Sequence, residues 1–199
     1  MKLHWTILYW LCFTQLSAQI EPCKFGQSLI TALRTHYTPT QTLGYSNARD
    51  TLYSQIDNNG LNLSCIYSNF TVTLDPTIDP SISAFQGGNG INAEHVYPQS
   101  KGASQEPARS DMHNIRPSRV QVNSARGSCV FDEVADSDTE FWFYLNTQLT
   151  TIPNSNIDQY SEKDEEDCRF EPQESSKGDI ARAVFYFYTI LTWRLLTWF

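Results

Sequence analysis

Three short runs between Asn92 and Arg126 carry side chains that can do chemistry together: NAEHVYP from Asn92 to Pro98, DMHNIRP from Asp111 to Pro117, and VNSAR from Val122 to Arg126. Glu94 offers a hard anionic oxygen and Asn123 a neutral amide oxygen. Two such ligands, with several retained waters, suit Mg2+, which dehydrates reluctantly and seldom takes an all-protein cage. His95 titrates near neutral pH and can take a proton from water. One hard metal beside one base is what hydrolysis of a phosphodiester requires: the metal offsets charge on the phosphate and the leaving oxygen, and the base makes the nucleophile.

The charge pattern supports a polyanionic substrate. The chain is acidic, with 14 Lys and Arg against 22 Asp and Glu. Its pI near 4.9 excludes a globally basic nucleic-acid glue. From Glu94 to Arg126, however, five basic residues (Lys101, Arg109, Arg116, Arg119, Arg126) outnumber three acidic ones, whereas Asp132 to Glu174 holds 13 acidic residues and two basic. Positive charge is therefore gathered around the candidate site. Pro117 suits the first turn of a short helix that Gly127 would stop. In such a helix Arg119, Asn123 and Arg126 share one face, with Arg116 at its start, so the proposed metal-binding amide would sit on a cationic stripe. Arg109, Arg116, Arg119 and Arg126 are accordingly expected to contact phosphates. One tension remains within this reading. Glu94 and His95 are neighbours, and neighbours on a regular strand point to opposite faces, so both can serve one site only if the backbone bends.

The elements that must position these residues are partly legible. At 199 residues, with 13% aromatics, the chain is long enough for one domain with a real core and too aromatic for disorder. Residues 1–18 have the shape of a secretory signal peptide, a basic start followed by the uncharged run from Trp5 to Leu16 and a small residue at the cut. Residues 19–199 then form the mature domain, secreted or periplasmic. Cleavage removes Cys12. Four cysteines remain, which read as two disulfides. Three connectivities are open, with Cys23–Cys65 and Cys129–Cys168 preferred.

From Phe25 to Asn59 two apolar stripes at helical spacing (Leu29, Ile30, Leu33, Tyr37; then Tyr45, Ala48, Leu52, Tyr53, Ile56) predict core-facing helices. From Leu61 to Pro98 the pattern is that of strands, including Phe70 to Leu74 and Ile91 to Tyr97, with a glycine-rich loop at 86–90. Asn62 and Asn69 lie in N-x-S/T sequons. Gly178 to Phe199 reads as a buried C-terminal helix, since charges interrupt it too often for a membrane span.

Taken together, the EHVYPQS, DMHNIRP and VNSARG segments closely resemble the endonuclease I family, exported or periplasmic non-specific nucleases. YSNARDTLY from Tyr45 and KGDIARAVFY from Lys177 resemble family segments too, so the likeness covers most of the mature chain. The resemblance implies an α+β fold with a ββα-metal (His-Me finger) core surrounded by helices. It implies His95 as general base, and Glu94 and Asn123 as ligands of a single Mg2+ that Mn2+ or Ca2+ can replace. Asp111, His113 and Asn114 match a segment beside the site, with supporting roles. The substrate would be DNA, often also RNA, cut without sequence preference to 5′-phosphate products by a monomer with no membrane partner.

Two departures stand out. Some members place a cysteine-rich insertion, with an arginine that steadies the cleaved phosphate, where this chain has only 15 residues between His95 and Asp111. Relatives also often continue beyond the segment that begins at Lys177. Two rival readings are a zinc hydrolase built on His95 and His113, and a catalytically inactive exported module that binds DNA on the same fold.

Overall fold

The two N-terminal stripes fold as helices. In the computed structural model, which describes residues 20–191, α1 spans Gly26–Tyr37 and α2 spans Tyr45–Thr51, continued by a π-helical turn at Leu52–Ile56. The second stripe is core at Ala48, Leu52 and Tyr53, all fully buried, while Tyr45 is half-buried and Ile56 is exposed. The first is not: Leu29, Ile30 and Leu33 are half-buried and Tyr37 is exposed. Helix α1 packs mainly against the end of the described chain, where Arg34 donates to the carbonyls of Tyr188 and Thr189. Those carbonyls belong to the π-helical turn that closes the described residues.

Strands β1 (Asn58–Asn59), β2 (Asn62–Ser64) and β3 (Thr71–Thr73) form an antiparallel meander in which Leu63 faces Val72 across the pair. The short helix α3 (Pro80–Phe85) follows. It is absent from the sequence reading although its start signal is explicit: the Asp79 carboxylate accepts the Ile82 N–H at 3.0 Å, and Pro80 occupies the first turn. A side chain at Gly90 would place its Cβ 2.1 Å from the Ala84 carbonyl oxygen, so glycine is what lets α3 sit directly on the chain entering the next strand.

That strand, β4 (Ile91–His95), pairs antiparallel with β5 (Ile115–Arg119) in a two-stranded sheet of its own, and α4 (Val120–Arg126) begins at once. The helix therefore does not start at Pro117. Pro117 lies on β5 opposite Ala93, and Arg116 and Arg119 are strand residues. Proline's fixed φ near −65° suits a strand at the edge of a small sheet as well as a first helical turn, so the residue alone does not discriminate.

The acidic stretch builds a five-stranded sheet that the sequence reading left undescribed. Its strands are β6 (Val130–Phe131), β7 (Phe141–Tyr144), β8 (Thr147–Leu149), β9 (Ser161–Asp164) and β10 (Arg169–Glu171), in the order β6-β10-β9-β7-β8. Only β6 and β10 run parallel. Helix α5 (Glu174–Tyr186) and a π-helical turn at Phe187–Leu191 close the described chain. The C-terminal helix thus starts at Glu174, before the expected Gly178, and its expected stretch at 192–199 lies outside the described residues, as do the leader at 1–18 and Cys12. Among the described residues no helix is long and apolar enough to cross a membrane.

The sheet pair β4–β5 stands at the seam of two apolar clusters. On one side Leu52, Tyr53, Leu63, Val72, Ala84, Ile91 and Ile115 pack together. On the other, Tyr67, Val96 and Val122 join Phe143 and Phe170 of the large sheet and Ile180 and Ala183 of α5. Burying one such side chain is worth about 1.5–3 kcal/mol, so both clusters clamp the strand that carries Glu94 and His95. The Cys129–Cys168 disulfide joins residues just before β6 and β10, as expected. The Cys23–Cys65 pairing is corrected: Cys23 is exposed near the start of α1, while Cys65 is enclosed in the core, 3.8 Å from the Ser118 hydroxyl.

Strand β9 buries charge along its length. The Glu162 carboxylate accepts a hydrogen bond from the Thr139 hydroxyl at 2.7 Å. Burial lifts its pKa to about 7, and the nearby Glu171 and Asp136 push the same way. An acid whose folded pKa lies above its unfolded value near 4.5 costs stability only where the unfolded chain has ionised it. The penalty is absent well below pH 4.5, grows as the pH rises through 4.5, and is complete above about pH 7. Glu162→Gln is expected to raise the melting temperature at pH 8 by several degrees and to change it far less at pH 4.5. Equal shifts at both pH values in a thermal melt would contradict the assignment.

Candidate active site

The site forms where β4 ends. Glu94 is buried, 3% exposed, between α4 and the loop after β2. Its Oε1 accepts hydrogen bonds from the Tyr67 hydroxyl at 2.6 Å and from Arg126 Nη1 at 3.0 Å. Both fall on the same oxygen, which leaves Oε2 for another partner. Burial raises the Glu94 pKa overall, against the lowering influence of Arg126, the Tyr67 hydroxyl and the His95 amide. A cation at the second oxygen would relieve the same cost.

His95 points the other way along the strand. Its Nε2 lies 2.9 Å from the Arg109 carbonyl oxygen, and the Gln99 side-chain nitrogen lies near both ring nitrogens, 3.2 Å from Nδ1 and 3.4 Å from Nε2. A carbonyl can only accept. The Arg109 carbonyl therefore puts the proton on Nε2 and leaves Nδ1 the lone pair. Burial lowers the His95 pKa, the Arg109 carbonyl opposes that, and the Arg109 guanidinium adds to it. The ring is thus neutral near pH 7, with its basic nitrogen on the Gln99 side. Tyr45 stacks on it at 5.6 Å between ring centroids. The guanidinium groups of Arg109 and Arg49 lie 5.0 and 5.3 Å from the Tyr45 ring.

Asn123 stands on α4 with its amide nitrogen donating to Asn92 Oδ1 at 2.7 Å and to the Ala93 carbonyl at 3.2 Å. Neither bond uses the amide oxygen. The opposed directions of Glu94 and His95 do not separate them from a common site. His95 is the last residue of β4, the chain turns at Pro98, and Glu94, His95 and Asn123 line one cleft of about 340 Å3 together with Gln99, Ser100 and Ser128. The donor set of a carboxylate oxygen and an amide oxygen, both outside the internal hydrogen bonds, fits one hard divalent cation. Among the described residues no three His, Cys, Asp or Glu side chains gather into a metal-binding group.

The remaining sequence candidates have other partners. Asn114, fully buried, accepts from the Tyr97 amide at 2.8 Å and donates to the Tyr97 carbonyl at 3.2 Å, pinning the turn after β4. Asp111 accepts from the His113 backbone N–H and ring Nδ1, both at 2.9 Å, and from the Tyr186 hydroxyl at 2.7 Å. Burial alone would raise the Asp111 pKa, but these bonds hold it low, and the same pairing raises that of His113. His113 stacks on Tyr186, away from the partners of His95.

The expected cationic stripe does not form. Arg116 donates to the carbonyls of Met112 and Ile115. Arg119 lies over the Phe70 ring. Arg126 is 2% exposed and bonded to Glu94 and to the carbonyls of His95 and Val96. Of the four expected arginines, Arg109 alone stacks with the aromatic partner of His95. The residues that sequence reasoning passed over are Tyr45, Arg49, Tyr67 and Gln99. The first two lie in a segment already singled out, but nothing in the sequence alone ties them to His95.

Removing Arg126 would leave the Glu94 charge buried and unpaired, at a cost of about 3–5 kcal/mol. Arg126→Ala is expected to lose that much in urea unfolding, with Arg126→Lys recovering part of it because the charge is kept and the fork is lost. A loss below about 1 kcal/mol for Arg126→Ala would show that the pair does not hold Glu94.

Comparison with known proteins places this geometry. The sequence model of the endonuclease I family matches residues 25–198. The chain is similar to an extracellular ribonuclease of Bacillus subtilis (strain 168), 30% identical over 170 residues, covering 82% of this chain and 49% of the relative. It is also similar to an extracellular ribonuclease of Bacillus amyloliquefaciens, 34% identical over 97 residues, covering 48% of this chain and 27% of the relative. The matched stretches thus span about half of the first relative and less of the second.

Proposed function

The chain belongs to the endonuclease I family, and from that premise we propose that it is an exported, divalent-metal-dependent endonuclease that hydrolyses phosphodiester bonds of RNA and DNA. The observation that carries the reading is the single cleft that Glu94, Asn123 and His95 line together, with the hydrogen bonds of Glu94 falling on Oε1 and those of Asn123 on its amide nitrogen. The names of both relatives favour RNA as one substrate and export as the destination.

In this reading Glu94 and Asn123 hold one Mg2+, which Mn2+ or Ca2+ can replace. When bound, the cation supplies positive charge for the phosphate and the leaving oxygen. His95 does the proton work. Nδ1 takes a proton from water, the water oxygen bonds to phosphorus, and the bond from phosphorus to the 3′ oxygen breaks as that oxygen takes up a proton from solvent water. The products are a 3′-hydroxyl and a 5′-phosphate. The Arg109 carbonyl keeps Nε2 protonated and so fixes the tautomer. Tyr45 holds the ring plane. The Arg109 guanidinium, stacked on that same Tyr45, is our choice among the four arginines for steadying the phosphate. Asp111, His113 and Asn114 support the site through the turn they brace. The small sheet β4–β5 followed by α4 is the unit we read as the ββα-metal core.

His95→Ala is expected to lower the rate of plasmid and RNA cleavage about 10²–10⁴-fold with an unchanged melting temperature. Cleavage at the wild-type rate would overturn the assignment of the base. Glu94→Gln and Asn123→Ala are expected to raise the Mg2+ concentration needed for half-maximal rate, and EDTA to abolish cleavage. Full activity in EDTA would contradict the metal reading. Products that ligase rejoins without prior phosphorylation are the expected sign of 5′-phosphate ends.

A further inference from the structure

A second cavity opens beside the catalytic cleft, and the reaction as described makes no use of it. It measures about 450 Å3, within the size range of ligand pockets. Its floor is Tyr53 and Ile91, both fully enclosed. Its lip is Ile82 and Phe85 from α3, left 67% and 44% exposed. Arg49 and Asn92 complete the wall.

Three features set this cavity apart from a packing gap. First, the Tyr53 hydroxyl is buried and meets no partner among the described residues. Losing water without gaining a hydrogen bond is costly, and a ligand atom that pressed through the floor beside Tyr53 would restore it. Burial drives the Tyr53 pKa up, so the hydroxyl remains a donor at neutral pH. Second, Phe85 and Ile82 leave an aromatic ring and an aliphatic side chain exposed at the lip, and an aromatic ring is a surface on which a base can stack. Third, the cavity is tied to the catalytic residues at two points. Asn92 accepts the hydrogen bond that orients Asn123. Arg49 reaches the Tyr45 ring that stacks on His95, and its Nε donates to Ser81 at 2.9 Å. Whatever fills the cavity therefore lies beside the partners of His95 and Asn123, with the Arg49 cation in its wall.

We propose that this cavity seats an unpaired nucleobase of the strand being cleaved, stacked on Phe85 and hydrogen-bonded by the Tyr53 hydroxyl. A base held in a duplex is stacked on both faces and paired along its edge, so it cannot enter. Single-stranded RNA or DNA is then the preferred substrate form. Because a lone hydroxyl donor can serve any of the four bases, the pocket selects for strandedness and not for sequence. The proposal rests on the nuclease reading above and adds the form of its substrate.

The test uses the whole chain with Mg2+ and a labelled single-stranded oligonucleotide in which one abasic residue is walked past each cleavage position. An abasic residue at one fixed offset from the cut is expected to lower kcat/KM about tenfold, in line with the stacking of one base. Phe85→Ala, and Tyr53→Phe as the variant that keeps the core packing, are expected to shrink that abasic penalty and to lower the ratio of single-strand to duplex cleavage. Cleavage by the wild type that is indifferent to abasic residues at every offset overturns the pocket and leaves the nuclease reading standing. An abasic penalty that persists undiminished in both variants does the same. Failure of the wild type to cut any of these substrates overturns both.

Discussion

The structure turns on a carboxylate that is buried before any cation is considered. Glu94 sits where β4, α4 and the loop after β2 converge, and an ionised side chain there is tolerated only if it is paired and hydrogen-bonded. Arg126 and Tyr67 supply both partners on one oxygen. Arg126 also donates to the carbonyls of His95 and Val96. A single guanidinium thus neutralises the proposed metal ligand and fixes the backbone of the residue that carries the base. The ion pair is also what binds α4, and Asn123 with it, to the end of β4.

Around that pair, each functional group is oriented by a backbone atom. The Arg109 carbonyl dictates the tautomer of His95, the Ala93 carbonyl helps turn the Asn123 amide, and Asn114 clamps the backbone of Tyr97. Backbone groups in clamped strands and turns move less than exposed side chains. In the proposed site the lone pair and the oxygen ligands are thus arranged in advance, which is where catalysis by positioning gains most. The glycine at position 90, without which α3 could not rest on the chain entering β4, extends the same frame to the neighbouring cavity.

What the sequence disclosed and what it withheld divide along physical lines. That Glu94, His95 and Asn123 would line one cleft was legible because their order along the chain follows a family pattern. The second apolar stripe was legible because helical spacing and burial agree at Ala48, Leu52 and Tyr53. The helix expected from Pro117 failed because proline's φ serves a strand edge and a helix start equally. The cationic stripe failed with it, since Arg126 carries the same residue type whether it meets solvent or a buried carboxylate. The strand at Ser161–Asp164 was invisible because all four residues are polar and yet buried, satisfied by Thr139, Arg169 and a backbone carbonyl that are remote or local in ways no periodicity records. Tyr45 and Tyr67 reach the site across long sequence separations, and that is a property of topology.

The central claim is that Glu94, Asn123 and His95 form one metal-and-base centre, and crystals grown with Mn2+ test it most directly through the anomalous signal of the ion. The account predicts one strong peak in the cleft, bound by Glu94 Oε2 and the Asn123 amide oxygen, with a water within hydrogen-bond reach of His95 Nδ1. A peak held by other residues, or one whose water shell faces away from Nδ1, would contradict it.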